Sequence, residues 1–191
     1  MSEEKKTIIT KVARQIFSKY GFLKTTVEDI AKAARIGKAS IYHYFRSKED
    51  LFESVVEQEY QLLITKIEEE VNKENDPKNK IIVYVISRMK YLNELANVYS
   101  ALKDEYLEHY AFTEKIRERY FHKEMETLRA ILKEGVERDI FKIVDINLTT
   151  FTILTALKGL EYPWVANITA PEMEENLEKL LEILFNGIVK R

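Results

Sequence analysis

With 191 residues, the chain is long enough for one sizeable core or for a small head on a larger body, and too short for several independent enzyme domains. Its residues are 46% hydrophobic and 32% charged, with 5 Gly and 3 Pro, a balance that suits long surface-charged helices and predicts an all-α fold. The absence of cysteine excludes disulfides, thiolate zinc sites and thiol nucleophiles. The net charge of -2 divides unevenly: residues 1–50 carry 11 Lys+Arg against 6 Asp+Glu, and residues 51–191 carry 19 against 26. A basic head on an acidic body is the footprint of a polyanion-binding segment.

Met1 to Lys6 is polar and charged, and no apolar run approaches the length of a bilayer span, so no membrane partner is expected and a cytoplasmic location fits. From Thr7 to Tyr20, Ile8, Ile9, Val12, Ala13, Ile16 and Phe17 fall at the three-and-four spacing of one helical stripe, which Gly21 ends. Thr26 with Asp29 resembles a capping box in which Asp replaces the usual Glu or Gln, and a short helix over Val27 to Ala34 follows. Ser47 and Asp50 repeat the cap and open a long helix with a stripe through Leu51, Val55, Leu62, Ile67 and Val71.

A polar break at residues 72–77 precedes a helical pattern over Ile81 to Leu95, and two further helices are expected before Gly135. A turn at Arg138-Asp139 leads to Asp145, the N-cap of an apolar, Thr-rich helix over Ile146 to Leu160 that Pro163 closes or kinks. Thr169 and Glu172 bracket Pro171 at the start of the last helix, whose apolar face is Leu177, Leu180, Leu181, Leu184 and Ile188.

Between Val27 and Phe45, two short helical segments are separated by Arg35-Ile36-Gly37, and the small Ala31 and Ala34 let the second cross the first closely. That is helix-turn-helix geometry. Ile30, Ile36, Ile41 and Phe45 supply its small core, which leaves Lys38, Ser40, Tyr42, His43 and Tyr44 partly outward. The second helix of such a unit reads base edges in the major groove while flanking groups grip phosphate. Lys38 and Lys48 offer cations, Tyr42 and Thr26 offer hydroxyls, and the helix start after Ser47 favours an anion.

Ala13, Phe17, Gly21, Phe22, Thr25-Thr26-Val27, Ile30-Ala31, Ala34, Ile36, Ile41-Tyr42, Tyr44-Phe45, Lys48 and Leu51 together resemble the head of the TetR family, over about residues 7–52. The resemblance implies a DNA-binding domain at 1–50 and a ligand-sensing and dimerisation domain at 51–191, in an Ω-shaped dimer with an inducer pocket in the body. It implies that Tyr42, Lys48 and Thr26 bind phosphate, that Lys38, Ser40 and His43 lie nearest the bases, and that Ala39 sets how closely the helix approaches DNA. Two positions depart from the family: its turn usually has Gly where this chain has Arg35, and its recognition helix usually has Gly where this chain has Ala39.

The body is rich in aromatic residues, from which Tyr84, Tyr91, Phe112, Tyr120, Phe121, Phe151 and Trp164 are candidates to line an apolar pocket, with Arg88 as an anchor for an acidic ligand. Aromatics at helical spacing also serve as plain core. Leu154 and Leu157 on one late helix, and Leu177, Leu181 and Leu184 on the last, are candidates for a four-helix homodimer interface or for intramolecular core. No metal or cofactor is expected, although His109 and His122 stand four residues from glutamates. The expected partners are double-stranded DNA with an inverted-repeat operator, a second copy of the chain and a small-molecule inducer. A constitutive DNA-binding or protein-recruiting scaffold is the alternative; an enzyme is disfavoured by the lack of a phosphate-binding glycine loop and of a His/carboxylate constellation.

Overall fold

A computed structural model of the chain describes residues 2–94, 111–167 and 170–188. Those residues form eight helices: α1 Ser2–Tyr20, α2 Val27–Ala34, α3 Lys38–Tyr44, α4 Lys48–Val71, α5 Pro77–Glu94, α6 Ala111–Glu137, α7 Ile146–Asn167 and α8 Ala170–Ile188. The fold is all-α, with a three-helix head and a long helix leading into a helical body. Two compact units emerge, one of Met1–Leu62 with Leu95–Arg117 and the other of Leu63–Glu94 with Glu118–Arg191, the division falling inside α4.

In the first unit, Gly21 takes φ 79 and its N–H closes α1 on the Phe17 carbonyl at 2.8 Å, a conformation in which a side chain would be strained. The chain can then fold back so that Phe17, Phe22 and Phe52 meet with ring centroids 4.8 to 5.9 Å apart. Ile30, Ile41 and Phe45 are buried as expected, whereas Ile36 is half-exposed. The α4 stripe is two residues wide and repeats every four: Leu51-Phe52, Val55-Val56, Glu59-Tyr60, Leu63-Ile64, then Ile67 and Val71. Leu62, placed on the stripe by sequence, lies off it and is exposed, because each four-residue step overshoots a full turn of a helix of 3.6 residues per turn, so the buried row winds away from the side that Leu51 and Leu62 share.

In the second unit, α5 starts at Pro77, four residues before the first residue of the expected pattern. Asp76 caps it, its carboxylate accepting from the Lys78 N–H at 3.0 Å, and Pro77 occupies the first helical position where no N–H is missed. Of the two helices expected before Gly135, α6 is the described one and passes through that glycine to Glu137; residues 95–110 lie outside the described residues. Asp145 caps α7 through the Leu148 N–H at 2.9 Å, and Thr149, Thr150 and Thr152 each donate to the carbonyl four residues back. Helix α7 continues to Asn167, so Pro163 does not close it. Thr169 lies outside the described residues.

At the end of α6 the chain reverses through Asp139 at φ 57, and the N–H groups of Ile140 and Phe141 both donate to the Gly135 carbonyl, at 2.9 and 3.0 Å. This folds the buried Phe141 ring onto the face of Gly135, where an added Cβ would fall on the ring. Gly135→Ala is therefore expected to destabilise the protein by about 1–3 kcal/mol, as overpacking does. Denaturant unfolding of the two proteins checks it, and equal midpoints would remove the close approach.

Candidate nucleic-acid interface

The turn of the head is built from local chemistry. The Thr26 hydroxyl accepts from the Asp29 N–H at 3.2 Å and donates to Asp29 Oδ2 at 2.6 Å, while the Thr26 N–H donates to the same carboxylate oxygen at 2.9 Å. The capping box anticipated with Asp in the third position is therefore closed, and it starts α2. Hydrogen bonds from the Thr26 hydroxyl, then from its N–H, hold the Asp29 carboxyl below the usual carboxylate range. At the other end of α2, Arg35 sits in the left-handed region at φ 56, ψ 40, with its N–H on the carbonyls of Ala31 and Lys32.

Gly37, the N-cap of α3, brings no side chain to the cap. Burial of Ile41 and Phe45 leaves the opposite side of α3 open, where Lys38, Ala39, Ser40, Tyr42 and His43 are all exposed. Five of the seven sequence-predicted DNA contacts thus share one short helix, and Thr26 is exposed at the start of the neighbouring one. Tyr44 is half-buried with its ring edge-on to His43 at 5.1 Å. Lys38 has a loose acidic neighbour, Glu28, at 3.8 Å.

Lys48 is committed within the head as well as placed beside it. Its ammonium donates to the carbonyls of Phe22 at 2.9 Å and Thr25 at 3.1 Å and lies 4.2 Å from the Phe22 ring centroid. It ties the start of α4 to the loop before α2 with two of its three N–H groups. Ser47 caps α4 through the Asp50 N–H at 3.1 Å, and Asp50 accepts from the Arg46 N–H at 2.8 Å. Burial pushes the Asp50 carboxyl up, but the Arg46 N–H and guanidinium outweigh it and leave the group below its ordinary value. Further along α4, the buried Glu59 accepts from Arg14 of α1 at 2.8 Å. Sequence reasoning missed this pair; the available signal was an acid on an apolar stripe, four residues from Val55 and from Leu63.

In the body, the candidate pocket residues do not gather as one group. Tyr84, Arg88 and Tyr120 are buried, Tyr91 and Phe121 are half-buried, and Phe151 is exposed against Phe121 at 5.8 Å. The side chains of Phe112 and Trp164 lie outside the described residues. Arg88 is bidentate on Glu124 of α6, both buried, so it is neither solvated nor open to a ligand without displacing that carboxylate. Lys158 lies over the Phe121 ring at 4.4 Å. Four of the candidate interface leucines, Leu154, Leu157, Leu177 and Leu181, are already buried inside the single chain, and Leu184 is half-buried. The apolar side chains left outward on α7 and α8 include Leu148, Phe151, Leu180 and Ile183, the last 70% exposed.

The family model described as "Bacterial regulatory proteins, tetR family" matches residues 9–55, the stretch that holds α2, the turn and α3. Residues 9–55 thus carry the DNA-binding head of the TetR family. Similar proteins span its whole length: the Fatty acid metabolism regulator protein of Bacillus subtilis is 25% identical over 94% of this chain and 93% of its own. The HTH-type transcriptional regulator QacR of Staphylococcus aureus is 26% identical over 95% and 97%. A transcriptional regulator from Cytophaga hutchinsonii superposes with a TM-score of 0.80 at 26% identity, covering 96% of this chain and 98% of that one. With that head the chain is a DNA-binding transcriptional regulator, and the relatives it matches along its length are named as regulators too.

Two outcomes follow for this TetR-type head. Lys48→Met is expected to lower stability by about 1.5–3 kcal/mol, the range for hydrogen bonds from a charged donor; an unchanged melting curve would show that the tether is not populated. The Asp29 carboxyl is held below its ordinary value in the folded chain, so its contribution is present above the ordinary value and is lost as pH falls through the folded one. The melting-temperature gap between wild type and Asp29→Ala should therefore be open at neutral pH and narrow below about pH 4. A gap constant with pH would rule out the ionised cap.

Proposed function

We propose that this protein is a cytoplasmic, homodimeric repressor that binds an inverted-repeat operator and is released from it by a small, largely apolar ligand. The observation that carries this reading is α3, a recognition helix whose outward face holds Lys38, Ser40, Tyr42 and His43 while Ile41 and Phe45 anchor it from below. Lys38, Ala39, Ser40 and His43 face the bases, and Thr26, Tyr42 and the third N–H of Lys48 hold phosphates. Residues 1–50 act as the DNA-binding domain and residues 51–191 as the sensing and dimerisation domain.

The dimer forms through α7 and α8. Because Leu154, Leu157, Leu177 and Leu181 are largely used within each chain, the contact proposed here is made by Ala156, Leu160, Leu180, Ile183 and Leu184, beside the apolar groove that Val85 and Ile153 also line. Two heads on a two-fold axis match half-sites about 34–36 Å apart or a multiple of that. Ligand in the aromatic-rich body favours a head separation that does not fit both half-sites, with a coupling of about 1–3 kcal/mol. A relative named as a regulator of fatty acid metabolism makes fatty acids the first class to screen.

Selection from random duplex DNA with the purified protein should enrich a paired, inverted-repeat site, bound far more tightly than scrambled duplex as salt is raised. An unpaired site, or none, would move the reading to a scaffold without a ligand switch. Ile183→Glu places a charge on a side chain outside the chain's own core. It should leave helicity and melting of the chain intact, shift the dimer to monomer in sedimentation, and lower operator affinity at least about 100-fold by removing the second half-site. A stable Ile183→Glu dimer would refute this face.

A further inference from the structure

Four cations flank the recognition helix, and three of them have partners within the head. Lys38 stands 3.8 Å from Glu28, Arg46 donates to Asp50, and Lys48 holds the carbonyls of Phe22 and Thr25. Arg35 is different: it is exposed, and no carboxylate or carbonyl among the described residues accepts from its guanidinium. Its backbone is also in the left-handed region, at φ 56 and ψ 40, where a Cβ is crowded and Gly is the residue without penalty. A long cation is therefore held in a backbone conformation that favours Gly, and among the described residues no side-chain contact compensates for it.

The position has a geometric meaning. Arg35 ends α2 and precedes Gly37, the N-cap of α3, by two residues. Helix-turn-helix units put the first turn of the second helix against base edges, so a long side chain just upstream of that turn stands at the rim of the major groove, where the phosphates lie. A guanidinium suits that rim because its planar fork binds phosphate bidentately. We infer that Arg35 is a further DNA contact of this protein, gripping a backbone phosphate beside the N-terminus of α3, and that its left-handed geometry is retained for that contact. The inference rests on the DNA-binding reading of the head.

The test uses the full-length protein, a fluorescent random-sequence duplex and the selected operator, with affinity followed as salt rises. Arg35→Gly and Arg35→Asn both suit the left-handed backbone and remove the charge. Each should melt no lower than wild type yet bind both duplexes about five-fold more weakly per subunit near about 0.15 M salt, with the slope of log K against log salt flattened by about 0.9 per subunit. Arg35→Lys should restore the slope. Wild-type binding with unchanged affinity and slope in Arg35→Asn overturns the inference while leaving the DNA-binding reading standing. A uniform loss that Arg35→Lys does not restore also overturns it, since charge is then not the cause. Failure of wild type to bind any duplex overturns both.

Discussion

A helix of seven residues has no stability of its own in water, so everything that α3 presents outward depends on the burial of Ile41 within it and of Phe45 at its C-cap. Those two side chains sit in the core of the head with Ile30 of α2, and the Phe17, Phe22 and Phe52 cluster lies in the same core. The approach depends in turn on Gly21, whose left-handed backbone turns the chain at the end of α1. Loss of that packing would not merely weaken the head; it would remove the recognition surface. The polar outer face of α3 contributes little to holding it in place and is therefore available for recognition.

The head is joined to the first half of α4 by charge as well as by apolar contact. Lys48 holds the loop before α2 at the helix start, and Glu59, three turns later, holds Arg14 of α1. Two attachments that far apart along one helix resist rotation of α1 about α4 better than either does alone. The body uses the same device more deeply in its own core, where Arg88 of α5 and Glu124 of α6 form a bidentate pair with almost no exposure. Such pairs add little net stability, because desolvation offsets their attraction, but they fix register: sliding one helix by a turn would leave two buried charges unpaired. At the far end of the body, Glu134 accepts from Lys80 at 2.6 Å and Arg138 at 3.0 Å, and Arg138 also donates to the Asn75 carbonyl, joining the α4–α5 turn to α6. Both cations hold the Glu134 carboxyl below its ordinary range.

Position 35 is where local preference and observed conformation disagree most openly. A turn that asks for Gly contains Arg, at a cost of about 1 kcal/mol that a domain of ordinary stability tolerates. Elsewhere in the head the levels agree: the capping box starts α2, the Ser47 cap starts α4, and the apolar stripes face the same core. Agreement of that kind at nearly every position makes an exception informative, because strain is retained where something other than folding favours it.

The all-α class, the helix-turn-helix unit and the outward set on α3 were legible in the sequence because each is governed by neighbours three or four residues apart. Capping boxes, apolar periodicity and a Gly turn are local grammar, and Thr26, Ile41 and Phe45 obey it. The Asp76-Pro77 start of α5 was written in the same grammar and was overlooked inside a polar stretch. What the tertiary structure decided were contacts between residues far apart in the chain: Lys48 with Phe22, 26 residues away, Arg14 with Glu59, 45 away, and Arg88 with Glu124, 36 away. It also decided that Leu154, Leu157, Leu177 and Leu181 are inside the chain and Ile183 is outside. Periodicity identifies an apolar face; which neighbour covers it depends on packing among helices that no local pattern encodes.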